Sequence, residues 1–274
     1  RTSAFNVKKG RKMPNHVTNR LNLIGEQTRI DELLDRIKND ELGRGTIDFN
    51  KIIPMPEALD VESGSVESDA IKAYLKAACP ITDDYGVNKL EPETYRSIVD
   101  KLDSKFYVKY TDQKIMETNL KAPNASELIK QGKIYVDNLL NYGATTWYDW
   151  RCNNWGTKWN AYDFRPFEDN TLTFSTAWSR ALPIIEKLSE IYPDIRFSYG
   201  WADEDIGVNV GRLEMINNEI DFLDIPDAQS KEAYEMAAEI RGESLEDYCL
   251  YYNEKSGNYE YREESEEYEA PEMS

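Results

Sequence analysis

TLTFSTAWSRALPIIEKLSEIYPDIRFSYGWADEDIGVNVGRLEM, residues 171–215, decides the fold class. TLTFSTAW (171–178) reads as a strand. ALPIIEKLSEIYPD (181–194) changes period: Leu182, Ile185, Leu188 and Tyr192 recur at helical spacing, and Pro193 ends the run. IRFSYGW (195–201) and IGVNVGRLEM (206–215) alternate again, and the ADED between them predicts a hairpin. Strand–helix–strand–strand implies α+β layering, with helices on one face of an antiparallel sheet. EIDFLDIP (219–226) predicts one more strand and KEAYEMAAEIRG (231–242) a helix, with SLEDYCLYYN (244–253) as its extension.

Upstream, HVTNRLNLIG (16–25) alternates, with Val17, Asn19, Leu21 and Leu23 on one face, and Gly25 closes the strand. In TRIDELLDRIKND (28–40), Ile30, Leu33, Leu34 and Ile37 share one helical face, with Thr28 as the expected cap. TIDFNKIIPMP (46–56) reads as extended and ends in two prolines. Helices are predicted over 65–79, 92–103 and 124–143, the last capped by Gly143. These readings divide the chain at about residue 143. A mainly helical N-terminal α+β part (13–143) packs on an α/β sandwich (144–252) entered through the tryptophan segment, and an acidic mobile tail (253–274) follows. Met13 reads as a natural start, which leaves residues 1–12 as a basic extension.

The net charge is -18, and nineteen acids against four bases fall from Glu214 onward. Affinity for nucleic acid comes largely from Lys and Arg on phosphates, so so acidic a chain predicts basic partners rather than nucleic acid. No apolar run reaches membrane-spanning length. Cys79, Cys152 and Cys249 are widely spaced and odd in number, which predicts neither a disulfide framework nor a zinc or iron–sulfur site and fits a reducing cytoplasm.

WYDWRCNNWGTKWNAYDF (147–164) holds four of the six tryptophans. Asn153-Asn154 and Gly156 predict a turn between its two tryptophan pairs. Such rings either stitch a core or form an exposed platform with basic neighbours. The candidate partner-binding residues are Trp150, Arg151, Trp155, Lys158 and Trp159. To these are added the carboxylates of the hairpin turn (Asp203, Glu204, Asp205) and of the tail (Glu263, Glu264, Glu266, Glu267). His16 is the single histidine and reads as structural, so no multi-histidine metal site is expected. The Asp203-Glu204-Asp205 run fails the calcium-loop pattern. No phosphate-cradling glycine motif occurs, and no cofactor or catalytic residue is expected.

MPNHVTNRL (13–21), IDFNKIIPMPEAL (47–59), WYDWRCNNWGTKWNAYD (147–163) and LTFSTAWSRALPIIEKLSEIYPD (172–194) together resemble the phage- and plasmid-borne YubB-type family. The resemblance implies a ferredoxin-like domain in the second half, a topology without an iron–sulfur cluster. It also implies an accessory role in a bacterial host. The family pattern carries paired prolines after the TAW step, where this chain has Ser179-Arg180-Ala181-Leu182-Pro183, so its helix start is expected to be built differently.

The leading expectation is thus a non-catalytic accessory protein that binds a host macromolecule. In its narrower form it is an acidic nucleic-acid mimic that inhibits a host defence nuclease. Two alternatives stand beside it. One is an enzyme with a carboxylate-centred site. The other is a single-stranded RNA-binding module whose rings would be Phe174, Phe197 and Tyr199 on the sheet.

Overall fold

A computed structural model describes residues 15–105 and 110–262. The expectations for residues 1–12, and for Glu263, Glu264, Glu266 and Glu267, lie outside the described residues. In chain order the elements begin with β1 (His16–Ile24), α1 (Gln27–Ile37), α2 (Ser65–Ala78), α3 (Pro92–Lys105), α4 (Asp112–Met116), α5 (Ala125–Tyr142) and α6 (Trp147–Trp155). There follow β2 (Thr171–Ala177), α7 (Leu182–Ile191), β3 (Arg196–Asp203), β4 (Val210–Ile216), β5 (Glu219–Asp224), α8 (Lys231–Arg241), β6 (Leu250–Asn253) and β7 (Asn258–Tyr261).

The chain forms two compact units. Met55–Asn153 make one; the other takes the chain up to Pro54 and resumes at Asn154. This differs from a division at residue 143. The reason is β1, which pairs antiparallel with both β2 and β3 and so draws the first 54 residues into the sheet unit. The helical unit is an insertion between α1 and β2.

In the sheet unit five antiparallel strands run in the order β2-β1-β3-β4-β5. Alternation sets the faces. Val17, Leu21, Leu23, Phe174, Phe197 and Tyr199 are all fully or almost fully buried on the α7 side. Burying each such side chain stabilises by about 1.5–3 kcal/mol. Phe174, Phe197 and Tyr199 are therefore core rings, not a platform for RNA bases. The opposite side is not left bare, as one-sided layering would leave it. Ala202 and Val210 pack with Tyr234, Ala237 and Ile240 of α8. A Cβ on Gly200 would meet Ile240 at 3.1 Å, which sets how closely α8 lies on β3.

At the start of α7, Pro183 lies in the first turn, where a proline is tolerated. Ala181 offers no side-chain cap, and its backbone N–H instead donates to the buried Tyr199 hydroxyl at 3.1 Å. Three local expectations change. Glu26, not Thr28, occupies the α1 N-cap. The stretch 46–56 is not simply extended, because Phe49–Lys51 form a 3-10 turn capped by Asp48. Residues 244–253 do not prolong α8, because Gly242 takes a left-handed conformation and ends it. Ser244 then caps a second short turn, and Leu250 starts a hairpin of β6 with β7. The chain from Asn253 to Arg262 is thus ordered into that hairpin, where an acidic tail was expected.

The helical unit centres on α2 against α5. Ile71, Tyr74 and Leu75 pack with Tyr135, Val136 and Leu139. Gly132 permits the approach: a Cβ there would lie 2.0 Å from the Ala70 carbonyl oxygen. Gly143 ends α5 at φ +71°, as its residue type predicts. Among the described residues no helix is long and apolar enough to cross a membrane.

Candidate functional site

The tryptophan segment separates into interior and exterior rings. α6 runs straight through Asn153-Asn154, where a turn was expected, and the chain bends only at Gly156, φ +78°. A Cβ at Gly156 would lie 2.9 Å from the Arg180 carbonyl oxygen and 2.8 Å from Pro183, so only glycine fits. Before the bend, Trp155 is buried and its indole N–H donates to the Ile53 carbonyl at 2.9 Å. Its ring packs edge-on to Phe49, which in turn meets Phe174. Asn160 fastens the same strip: its side chain accepts from the Phe49 N–H at 2.9 Å and donates to Asp48 at 2.7 Å.

Trp150 and Arg151 belong to the helical unit. Trp150 is buried there. Arg151 is half-buried, its guanidinium 5.0 Å from the Trp147 ring centroid and its Nε donating to the Met55 sulfur at 3.3 Å. Burial draws its pKa down, against the opposing pull of Asp60. Trp150 and Trp155 are therefore packing residues and not contact residues for a partner.

After the bend the segment turns outward. Trp159 is 37% exposed and Trp178, just past β2, is 45% exposed. Between them sits the Lys158 ammonium, 4.1 Å from the Trp159 ring centroid and 5.6 Å from that of Trp178. Tyr162 meets Trp159 edge-on and shares a 2.7 Å hydrogen bond with Nδ1 of His16, so the histidine has a structural partner here. Burial pushes the Tyr162 phenol up to about 12, with Asp163 and Glu204 adding to the effect; it stays protonated at neutral pH. Lys158, Trp159, Tyr162, His16, Trp178 and Glu204 thus gather at one end of the sheet.

Trp178 has a backbone φ of +73°. A bulky side chain in the left-handed region is a genuine outlier and costs about 1–2 kcal/mol. The surroundings hold it there. Its N–H donates to the Asn15 carbonyl at 2.9 Å, Thr157 both donates to and accepts from the Ala177 backbone, and Thr176 donates to the Ser179 carbonyl at 2.7 Å. The result is a large ring held outward at an energetic cost, the pattern associated with functional sites.

The carboxylate turn divides too. Asp203 is buried; it accepts from Asn15, from the Asp205 N–H and from Asn209, and so shapes the turn. It is not available to a partner. Glu204 and Asp205 are exposed. Among the described residues no cluster of three metal-ligating side chains occurs. Trp178 carries no sequence signal of its own beyond its ring type, because the positive φ arises from the surrounding packing.

A comparison with curated proteins finds no match. Among solved structures, that of api92 from Yersinia pseudotuberculosis is similar at a TM-score of 0.33 and 11% identity, over 78% of this chain and 99% of that one. Residues 154–242, which run from the end of α6 through α8, match the family model described as the ferredoxin-like domain in Api92-like protein.

Proposed function

We propose that this chain acts by binding a basic macromolecular partner, with Trp159, Lys158 and Trp178 as the contact surface. The observation that carries this reading is Trp178, held outward at φ +73° beside a lysine that already occupies the space between two exposed indoles. Tryptophan, tyrosine and arginine dominate binding energy at protein interfaces. Indole faces also attract cations, by about 0.5–2 kcal/mol each. A net charge of -18 favours basic partners and repels polyanions. A lysine or arginine of the partner takes the place of Lys158 between the rings, and Glu204 and Asp205 supply carboxylates nearby.

The narrower form is an accessory protein of a phage or plasmid that occupies the basic groove of a host nuclease. It rests on the acidity and on the YubB-type resemblance. The test is capture of proteins from bacterial lysate on the immobilised chain, repeated with Trp159→Ala/Trp178→Ala. A basic protein retained by the wild type, released as ionic strength rises above roughly 0.15 M, and missing from the double variant is the expected result. A set of captured proteins that the double variant leaves unchanged would overturn the reading.

A further inference from the structure

The two edges of the five-stranded sheet are not equivalent. The β2 edge is closed: Tyr162 and Ser175 exchange backbone hydrogen bonds of 3.1 and 2.7 Å, and the Arg165 N–H donates to the Thr173 carbonyl at 3.0 Å. Beyond β5, no backbone pairing is made among the described residues. Proteins usually blunt an open edge with proline, inward charge or extreme shortness. β5 has six residues and no proline; it carries the carboxylates Glu219, Asp221 and Asp224, and its pairing with β4 is irregular at Glu214/Met215, but it still exposes apolar side chains: Ile220 47%, Phe222 45% and Leu223 53%, with Ile225 at 54% just beyond it.

The two faces of this edge differ in chemistry. Ile220 and Leu223 stand opposite Met215 and Leu213, on the α7 side. Phe222 and Asp224 stand opposite Glu214 and Arg212, on the α8 side. There a groove of about 430 Å³ opens between β5 and α8, lined by Asp224, Asp227, Glu232, Glu235 and Glu239 with Arg212 as the one basic residue. Arg212 is already committed, 3.2 Å from Asp224 and 4.0 Å from Glu239.

We infer that β5 accepts an extended segment of a partner protein as a sixth strand, with side chains alternating between apolar and basic. Main-chain hydrogen bonds to the unpaired groups of β5 supply affinity, and the alternate side chains supply specificity. Apolar side chains land beside Ile220, Leu223 and Ile225. Basic ones enter the carboxylate groove. A second copy of this chain fits poorly, because pairing two β5 strands brings Asp221 and Asp224 of both copies along one seam, and like charges opposite one another destabilise a ladder. The basic character of the segment agrees with the function proposed above; the open edge and its apolar side chains stand independently of it.

The probe is acetyl-Lys-Val-Lys-Val-Lys-Val-amide, with acetyl-Lys-Lys-Lys-Val-Val-Val-amide as its composition-matched control. The alternating peptide is expected to bind at least about tenfold more tightly than the control, and to protect the amides of residues 220–224 from hydrogen exchange. Glu232→Lys/Glu235→Lys, both at exposed α8 positions, is expected to weaken that binding about tenfold. Trp159→Ala/Trp178→Ala is expected to leave it unchanged, which separates failure of this inference from failure of the contact surface. Equal binding of the two peptides, protection elsewhere, loss of binding in the tryptophan variant, or self-association through β5 would overturn the inference.

Discussion

The indole N–H of Trp155 donates to the carbonyl of Ile53 across 2.9 Å, joining residues 102 positions apart. The bond ties the end of α6 to the strip that follows α1, and Phe49 packs edge-on against the same ring. Trp155→Phe removes the donor, strands the Ile53 carbonyl and leaves a partial cavity. An unsatisfied acceptor costs up to about 1–3 kcal/mol, towards the lower end at this part-buried carbonyl, and the volume lost around the buried Trp155 ring adds to it. A fall of about 2–4 kcal/mol in unfolding free energy is expected, measured by urea denaturation.

Trp178 predicts the opposite balance. Glycine adopts φ +73° without strain, so Trp178→Gly relieves about 1–2 kcal/mol, which offsets the lost contact with Lys158, worth about 0.5–1 kcal/mol, and part of the lost burial of a ring that is 45% exposed. Its thermal stability should stay close to that of the wild type. A marked drop in melting temperature would show that the ring is held for packing and not for contact.

Gly132→Ala should be severe. The added Cβ would sit 2.0 Å from the Ala70 carbonyl oxygen and 2.7 Å from the Tyr74 Cβ, and backbone cannot yield as a flexible side chain can. Overpacking of this kind costs about 1–3 kcal/mol or more. Loss of the helical unit's unfolding transition, or its displacement to a much lower urea midpoint, is the expected reading.

Glu67 gives a pH dependence. Burial is the largest influence on it and raises its pKa; Asp149 adds to that, while the Thr145 hydroxyl and the Gly64 backbone pull the other way. The folded state then holds the proton more tightly than the unfolded chain. The stability contributed by Glu67 is complete below the ordinary value of 4.5 and is lost as pH rises through the raised folded value. Glu67→Gln retains an acceptor for Thr145 and removes the titration. The variant should be more stable than the wild type at about pH 7–8 and should lose that advantage near pH 4, as read from urea midpoints.

Much of the fold is legible in residue order. The alternation of Val17, Leu21 and Leu23, the spacing of Ile185, Leu188 and Tyr192, and the hairpin around Asp203–Asp205 each declare their element locally. Which strands pair is a different matter. β1 lies about 150 residues from β2, and nothing local to either names the other, so a boundary at residue 143 followed from reading neighbours in sequence as neighbours in space. The same limit holds for faces. Alternation puts Phe174 with Leu172 and Thr176, but whether that face meets α7 or solvent is settled only by packing.

The candidate surface was half legible. Lys158 and Trp159 stand out by composition, but Trp155 resembles Trp159 in every local respect and differs only in lying before the Gly156 bend. Asp203 looks like its exposed neighbours Glu204 and Asp205 until the hydrogen bonds from Asn15 and Asn209 draw it inward. Trp178 looks like the last residue of a strand, and its left-handed backbone is imposed by contacts with residues 15, 157 and 179.

The most direct test is the affinity of the Trp178→Gly chain for the basic protein that the wild type retains, measured by calorimetry at low and at physiological salt. The proposed contact surface predicts an affinity at least about tenfold weaker than wild type, at an unchanged melting temperature, with binding by the wild type falling steeply as salt rises. Equal affinity for both chains, indifferent to salt, would contradict it.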